Sequence, residues 1–286
     1  MSEVLWSSAF RVHAYRWSTI GWMPDFDGFT TEDCQEFYRT YYAPNNATLV
    51  VTGDVDERAL LTRIAAAYGP LESSLLPVED VRPEPPQVEE RQVELEKPTV
   101  SEKIAIGYHG PALGDADHTA LSALCEVLFG GRASRLHRRL VQELEIATDV
   151  RVSVGPFQDP GLVEIYASAR DKHTAEALRD AIDAELDRVV SEPVSVEEID
   201  RARARSELGL LAGLETVDGK ASTIGFYETV LGRPAAAFDR LEAAALLGPG
   251  DLLRAARRYF RRSSRTLVMV RPQKSPASTD PREAAE

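Results

Sequence analysis

The residues able to do ligand or acid–base chemistry are few, and their spacing excludes most of it. The five histidines are His13, His109, His118, His137 and His173, and none has a second histidine four residues further on. That spacing is what sets two imidazoles on one helix face for a metal. Cys34 and Cys125 are too few for a disulfide framework or a thiolate metal site. Cys125 reads as a small buried residue rather than a ligand. No nucleophile–base pair stands out, and no Gly-x-x-x-x-Gly-Lys follows a strand, which excludes a phosphate loop. Asn46-Ala-Thr48 has the form of a glycosylation sequon, but Asn45 and Asn46 read as turn residues that tolerate left-handed backbone. Arg201, Arg203 and Arg205 alternate along a helix with acidic neighbours and read as an exposed face.

The whole chain narrows the classes further. Its 286 residues, 43% hydrophobic and 28% charged, suit a soluble globular protein of one large or two ordinary domains. A net charge of −13 excludes a nucleic-acid partner, because phosphate binding needs a basic stripe. No run of 18 apolar residues is present, so no membrane span or membrane partner is expected. Met1 to Phe10 lacks the basic start and apolar core of a signal peptide, and a cytoplasmic setting is expected.

The elements that must position any site follow from caps and periodicity. Thr30-Thr-Glu-Asp33 has the form of a capping box opening a helix to about Tyr42. Pro44-Asn45-Asn46 ends it and turns the chain into Ala47 to Thr52, read as a short apolar strand. A helix with Leu60, Leu61, Ile64 and Ala65 on one face runs to about Tyr68. Between Pro77 and Pro98, prolines among acidic residues suggest a semi-rigid linker. Val93 and Leu95 alternate with polar residues as in an edge strand; 104–108, 150–154, 162–167 and 266–270 read as further strands. Helices are expected at about 117–129 and 134–144, along the face of Leu178, Ile182, Leu186 and Val189, and from the Ser195–Glu198 capping box through Leu214. The predicted fold is α+β, helices packed on a mainly antiparallel sheet.

A repeat runs through this order. Asp33 to Val50 and Asp251 to Val268 read alike without a gap, 218 positions apart (33 to 251, 50 to 268). Tyr41 matches Tyr259, and Thr48-Leu49-Val50 matches Thr266-Leu267-Val268. A fixed offset marks a duplicated structural unit. The second copy ends a unit that starts near Val88, whereas the first copy would have to start before Met1. The leading unit is therefore expected to be incomplete.

His13-Ala-Tyr-Arg-Trp17, Ile20-Gly21 and Tyr41-Tyr-Ala-Pro-Asn-Asn-Ala-Thr-Leu-Val-Val-Thr-Gly-Asp54 resemble the insulinase/pitrilysin family of zinc metallopeptidases, as do Gly107-Tyr108-His109 and Phe129-Gly-Gly-Arg-Ala-Ser-Arg-Leu136. The resemblance covers about Val12 to Val270. It implies two homologous α+β domains around a peptide chamber, here with residues 1–76 as the C-terminal remnant of the first. Residues 77–98 would be the linker, 99–272 a complete second, non-catalytic domain and 273–286 a disordered tail.

The family's zinc rests on an inverted His-x-x-Glu-His helix and a later Glu, all in its first domain and upstream of the stretch matched here. In the second unit the corresponding helix reads Ser122-Ala-Leu-Cys-Glu126, and the nearest miss elsewhere is His173-Thr-Ala-Glu-Ala177. Some relatives lend an Arg and a Tyr from this domain; aligned on Ser134-Arg135-Leu136, those positions hold Val141 and Thr148, with Arg138 and Arg139 one turn earlier. The resemblance thus implies no catalytic and no metal-binding residue in this chain and leaves the substrate-binding residues open. Zinc is expected only in a missing or partner catalytic domain. The implied role is the non-catalytic, chamber-closing, peptide-binding part of a metallopeptidase, truncated or split. The alternative is an assembly protein using the same fold. The partners expected are a catalytic zinc-peptidase subunit or a second copy of the chain, and a peptide or unfolded polypeptide.

Overall fold

The computed structural model describes residues 1–79 and 81–273. The tail expected at 273–286 lies, after Gln273, outside them. In chain order the helices are α1 (Ser2–Ala9), α2 (Met23–Phe26), α3 (Thr31–Tyr41), α4 (Glu57–Tyr68), α5 (Ala116–Phe129), α6 (Arg135–His137), α7 (Ala175–Ser191), α8 (Val196–Gly213), α9 (Val217–Leu231), α10 (Ala236–Leu246) and α11 (Pro249–Tyr259). The strands are β1 (Arg91–Lys97), β2 (Lys103–His109), β3 (Ala147–Val154), β4 (Leu162–Ala169) and β5 (Arg265–Pro272).

The strands form one sheet in the order β1-β5-β2-β4-β3. Tight turns make the β3–β4 pair antiparallel, β2 runs antiparallel to β4 and β5, and only β1 lies parallel, against β5. The mixed α+β architecture is as the sequence predicts. Side chains alternate along each strand, so one face carries Ile104, Ile106, Val163, Ile165, Leu267 and Met269, all fully buried. Helices α5, α7 and α11 cover that face. In α7 the stripe Leu178, Ile182, Leu186 and Val189 recurs at helical spacing and is buried into the same core. Each such side chain contributes about 1.5–3 kcal/mol. Arg265 at the head of β5 is buried with its charge matched by Asp183 of α7 and Glu90, and Gln87 donates to its carbonyl at 2.6 Å.

The strand read at Val93 and Leu95 forms: residues 91–97, inside the stretch also read as a linker, pair with β5 along their whole length, because both side chains find an apolar surface there. One expectation needs correction. Ala47 to Thr52, read as a strand, is extended but pairs with no strand of the described residues. A strand is stable only beside a partner, and none of the five strands of the described residues pairs with this segment. The segment instead leans on α9, with the Thr52 hydroxyl donating to the Val217 carbonyl at 2.5 Å.

Candidate functional site

The opposite face of the sheet carries no layer of long helices. What covers it is α1, and β2 is shaped for that helix. Ala105 and Gly107 keep the strand surface low, and a Cβ on Gly107 would lie 3.2 Å from Leu5 and 3.3 Å from Leu162. Leu5, Ala9 and Phe10 therefore sink onto Ala105, Leu162 and Val268. The Arg91 guanidinium closes the helix end by donating to the Ser8 carbonyl at 2.8 Å and the Ala9 carbonyl at 2.6 Å. Glu84 collects the amides of Arg11, Val12 and His13 at 2.8, 2.8 and 3.0 Å. Although partial burial opposes its charge, those three bonds hold its carboxyl below the usual carboxylate range.

An aromatic cluster grows from this anchor. Trp6 stacks on Phe10 at 5.4 Å and meets Phe157 edge-on at 5.2 Å, and Tyr15 touches Phe157 at 5.3 Å. Phe157 sits in the β3–β4 turn folded back over two glycines. A Cβ on Gly155 would lie 1.9 Å from its ring and one on Gly161 2.6 Å, so no larger residue fits at either position without moving the ring. Three donors converge on Oε1 of Glu164: the Trp6 indole at 2.8 Å, the Tyr166 hydroxyl at 2.6 Å and the Ser2 hydroxyl at 3.5 Å. Burial, helped by that carboxylate, pushes the Tyr166 phenol above its ordinary value. Arg151 of β3 lies over the Tyr166 ring at 5.0 Å.

Two hollows flank this cluster. One, of about 460 Å³, is walled by Trp6, Tyr15, Trp17, Ile20 and Phe157, with Glu3 and Glu164 as its charged lining. The other, of about 400 Å³, includes His13, His109, Asp159, Arg258 and Tyr259. In it His13 accepts the Tyr15 amide on Nδ1 at 3.1 Å, and its Nε2 stands 3.5 Å from Asp159 without a hydrogen-bond partner. Burial lowers the His109 pKa, so the ring is neutral and Nε2–H donates to the Ala9 carbonyl at 3.1 Å. Tyr259 is pushed up to about 12 by burial and by Asp117, whose carboxylate accepts its hydroxyl at 3.0 Å.

The residues singled out from sequence do not meet at one place. Val141 packs against the core from a wide helical turn, 138–143, that closes through Leu144 N–H to the Arg139 carbonyl at 2.9 Å. Thr148 spends its hydroxyl on the Ser168 carbonyl and Asp149. Arg138 and Arg139 pair with Glu143 on the surface. Arg203 differs from the exposed face expected: it is half-buried and donates to the Ala244 and Leu247 carbonyls, tying α8 to the end of α10. His173 precedes α7, where Thr174 caps the helix and Glu176 is taken by Arg271.

Sequence reasoning missed one pair. His118 and Ser122, four residues apart on α5, approach to 3.2 Å. They do not form a nucleophile–base couple. Arg240 donates to the same Nδ1 at 2.8 Å, Nε2 is spent on the Gly155 carbonyl at 3.2 Å, and His118 is buried. Burial first and Arg240 second lower its pKa.

The donor set does not fit zinc. Burial pushes the Cys125 thiol well above its ordinary value, both nitrogens of His118 are used, and among the described residues no cluster of three His, Cys, Asp or Glu side chains could hold a metal ion. The α1-covered face thus carries an aromatic hollow beside the Glu164 carboxylate. Among the described residues no helix is long and apolar enough to cross a membrane.

Residues 28–206 match the model of the Peptidase M16 inactive domain. The zinc protease PqqE of Helicobacter pylori is 28% identical over 270 residues, 93% of this chain but 60% of that protein. The crystal structure of a protease from Helicobacter pylori superposes with a TM-score of 0.88 at 27% identity, covering 94% of this chain and 65% of that one. A peptidase M16 inactive domain from Pseudomonas fluorescens shares the fold, with a TM-score of 0.79 at 19% identity over 96% of this chain and 65% of that one. The chain thus spans about three-fifths of the curated relative's length.

Proposed function

The chain belongs to the Peptidase M16 inactive-domain family, and from that premise we propose that it is the non-catalytic, peptide-binding and chamber-closing part of a zinc peptidase. The zinc and the bond-breaking groups are contributed by residues outside this sequence, on a catalytic partner. The observation that carries this reading is the unequal cover of the sheet: long helices pack one face, and the other, covered by the short α1, presents Trp6, Tyr15, Glu164, Tyr166 and Arg151 beside the edge strand β3. An edge with spare backbone donors and acceptors suits an extended polypeptide added as one more strand. The same reading places the chain in the cytoplasm, with Cys34 and Cys125 both free thiols. The test is metal analysis with peptide hydrolysis, on the chain alone and after mixing with a zinc-bearing M16 catalytic chain. Expected are no bound zinc and no hydrolysis alone, with hydrolysis raised in the mixture. One zinc per chain, or hydrolysis by the chain alone, would overturn the reading.

A second reading, an assembly protein that uses the fold only to hold a partner, draws on a different region. Phe29, Phe37, Tyr38 and Tyr42 are more than half exposed, and Ala47 to Thr52 is extended without a strand partner. Apolar area of that kind is commonly covered by another protein surface. Stable association with a partner, with no gain in hydrolysis, would favour it.

A further inference from the structure

We infer that the hollow between α1 and residues 14–20 receives a basic side chain, arginine or lysine, of an extended polypeptide. This rests on the reading that the α1-covered face meets polypeptide and adds which residue it prefers. Three features of the hollow agree. Its charged lining is two carboxylates, Glu3 and Glu164. Its lining includes four aromatic side chains, Trp6, Tyr15, Trp17 and Phe157, a residue class that attracts cations. Its volume of about 460 Å³ accommodates a long side chain with its flanking backbone.

The carboxylate decides against the other ligand classes. Oε1 of Glu164 takes the Trp6, Tyr166 and Ser2 donors, and among the described residues Oε2 accepts none. A neutral apolar ligand would strip water from that oxygen and return no bond, and an anion would be repelled. A guanidinium or ammonium completes it with a charge-assisted hydrogen bond. The chain already shows the stacking half of the contact, with Arg16 over Trp17 at 5.0 Å and Arg151 over Tyr166 at 5.0 Å. The net charge of −13 draws cationic polypeptide toward the surface and makes the binding weaken with salt.

Two of the three tryptophans, Trp6 and Trp17, wall the hollow, so the intact chain reports on its own occupancy. Acetylated, amidated pentapeptides with arginine, its neutral isostere citrulline, or glutamate at the centre would be titrated against tryptophan emission. Saturable change is expected with arginine, with affinity for citrulline about tenfold lower and glutamate lower still. Glu164→Gln keeps the acceptor for Trp6 and Tyr166 and should erase the arginine preference. Glu3→Gln, on the exposed end of α1, should reduce it without touching the sheet. Equal affinity for arginine and citrulline would overturn the inference, and so would no binding or an unchanged ratio in both variants. Peptide binding without charge preference would sink this inference while leaving the proposed function standing.

Discussion

Two stretches of this chain share one local sequence pattern and reach different ends. Helices α3 and α11 match residue for residue in extent, Thr31–Tyr41 against Pro249–Tyr259, and each is followed by a single tight turn, at Pro44–Asn46 and Arg262–Ser264. Their caps agree as well: Asp33 accepts the Thr30 amide at 2.9 Å and Asp251 accepts the Gly248 amide at 2.9 Å. Beyond the turn they part. β5 lies between β1 and β2, whereas Ala47 to Thr52 pairs with no strand among the described residues. On α11, Leu252, Ala255 and Ala256 are buried; their counterparts on α3 are Cys34, Phe37 and Tyr38, all exposed. Capping and turn chemistry are local and survive in both copies, while strand formation and helix burial depend on neighbours.

Truncating twin leucines should show this contrast most strongly. Leu267→Ala removes a fully buried side chain from β5 and should cost about 2–5 kcal/mol in denaturant unfolding. Leu49→Ala alters the matching position, 54% exposed, and should stay within about 0.5 kcal/mol. Equal costs would mean that the leading stretch is packed as tightly as the trailing one. Asp183→Ala should come next, at about 3 kcal/mol, because Arg265 would keep its burial and lose a partner. The matching position to Arg265 in the leading copy is Ala47, so nothing there repeats that tie.

Acidification should separate the two regions without mutation. His109 and His118 are pushed down by burial, so below about pH 6.5, where they protonate in the unfolded chain, the native state binds fewer protons. Stability present above that pH is then lost as pH falls toward the folded values. Hydrogen exchange compared at neutral pH and about one unit below the free imidazole value should show protection falling across β2 and α5. Residues 17–79 contain no histidine and should show no such step. His118→Gln should flatten the response. The smallest effect expected is Thr30→Ala, about 1 kcal/mol of local helix stability, seen as faster exchange along α3 with the global unfolding midpoint unmoved.

The contrast also marks what could be read in advance. Val93 and Leu95, the alternation at 150–154, the turn glycines around Pro156 and Pro160, and the boxes at Thr30 and Ser195 all announce their elements, because each depends on residues close in sequence. The parallel seat of β1 on β5 depends on residues about 175 positions apart (91 to 266), and the prolines before it, Pro83, Pro85 and Pro86, point toward a linker instead. The helix α1 was not anticipated at all. Its docking follows from Gly107 and Ala105, whose smallness means something only once Leu5 is known to lie above them. The candidate site is illegible for the same reason: Trp6 and Glu164 meet across 158 positions of sequence.

Glu84 gathers three consecutive amides of the stretch before Ala14, and Gln87, three residues on, grips the Arg265 carbonyl. The proline strap is thereby sewn to α1 on one side and to the sheet on the other. From Trp17 to Thr30, by contrast, no side chain is buried. Helix α1 itself is tied to the sheet from two sides, and the hollow beside it inherits one fixed wall.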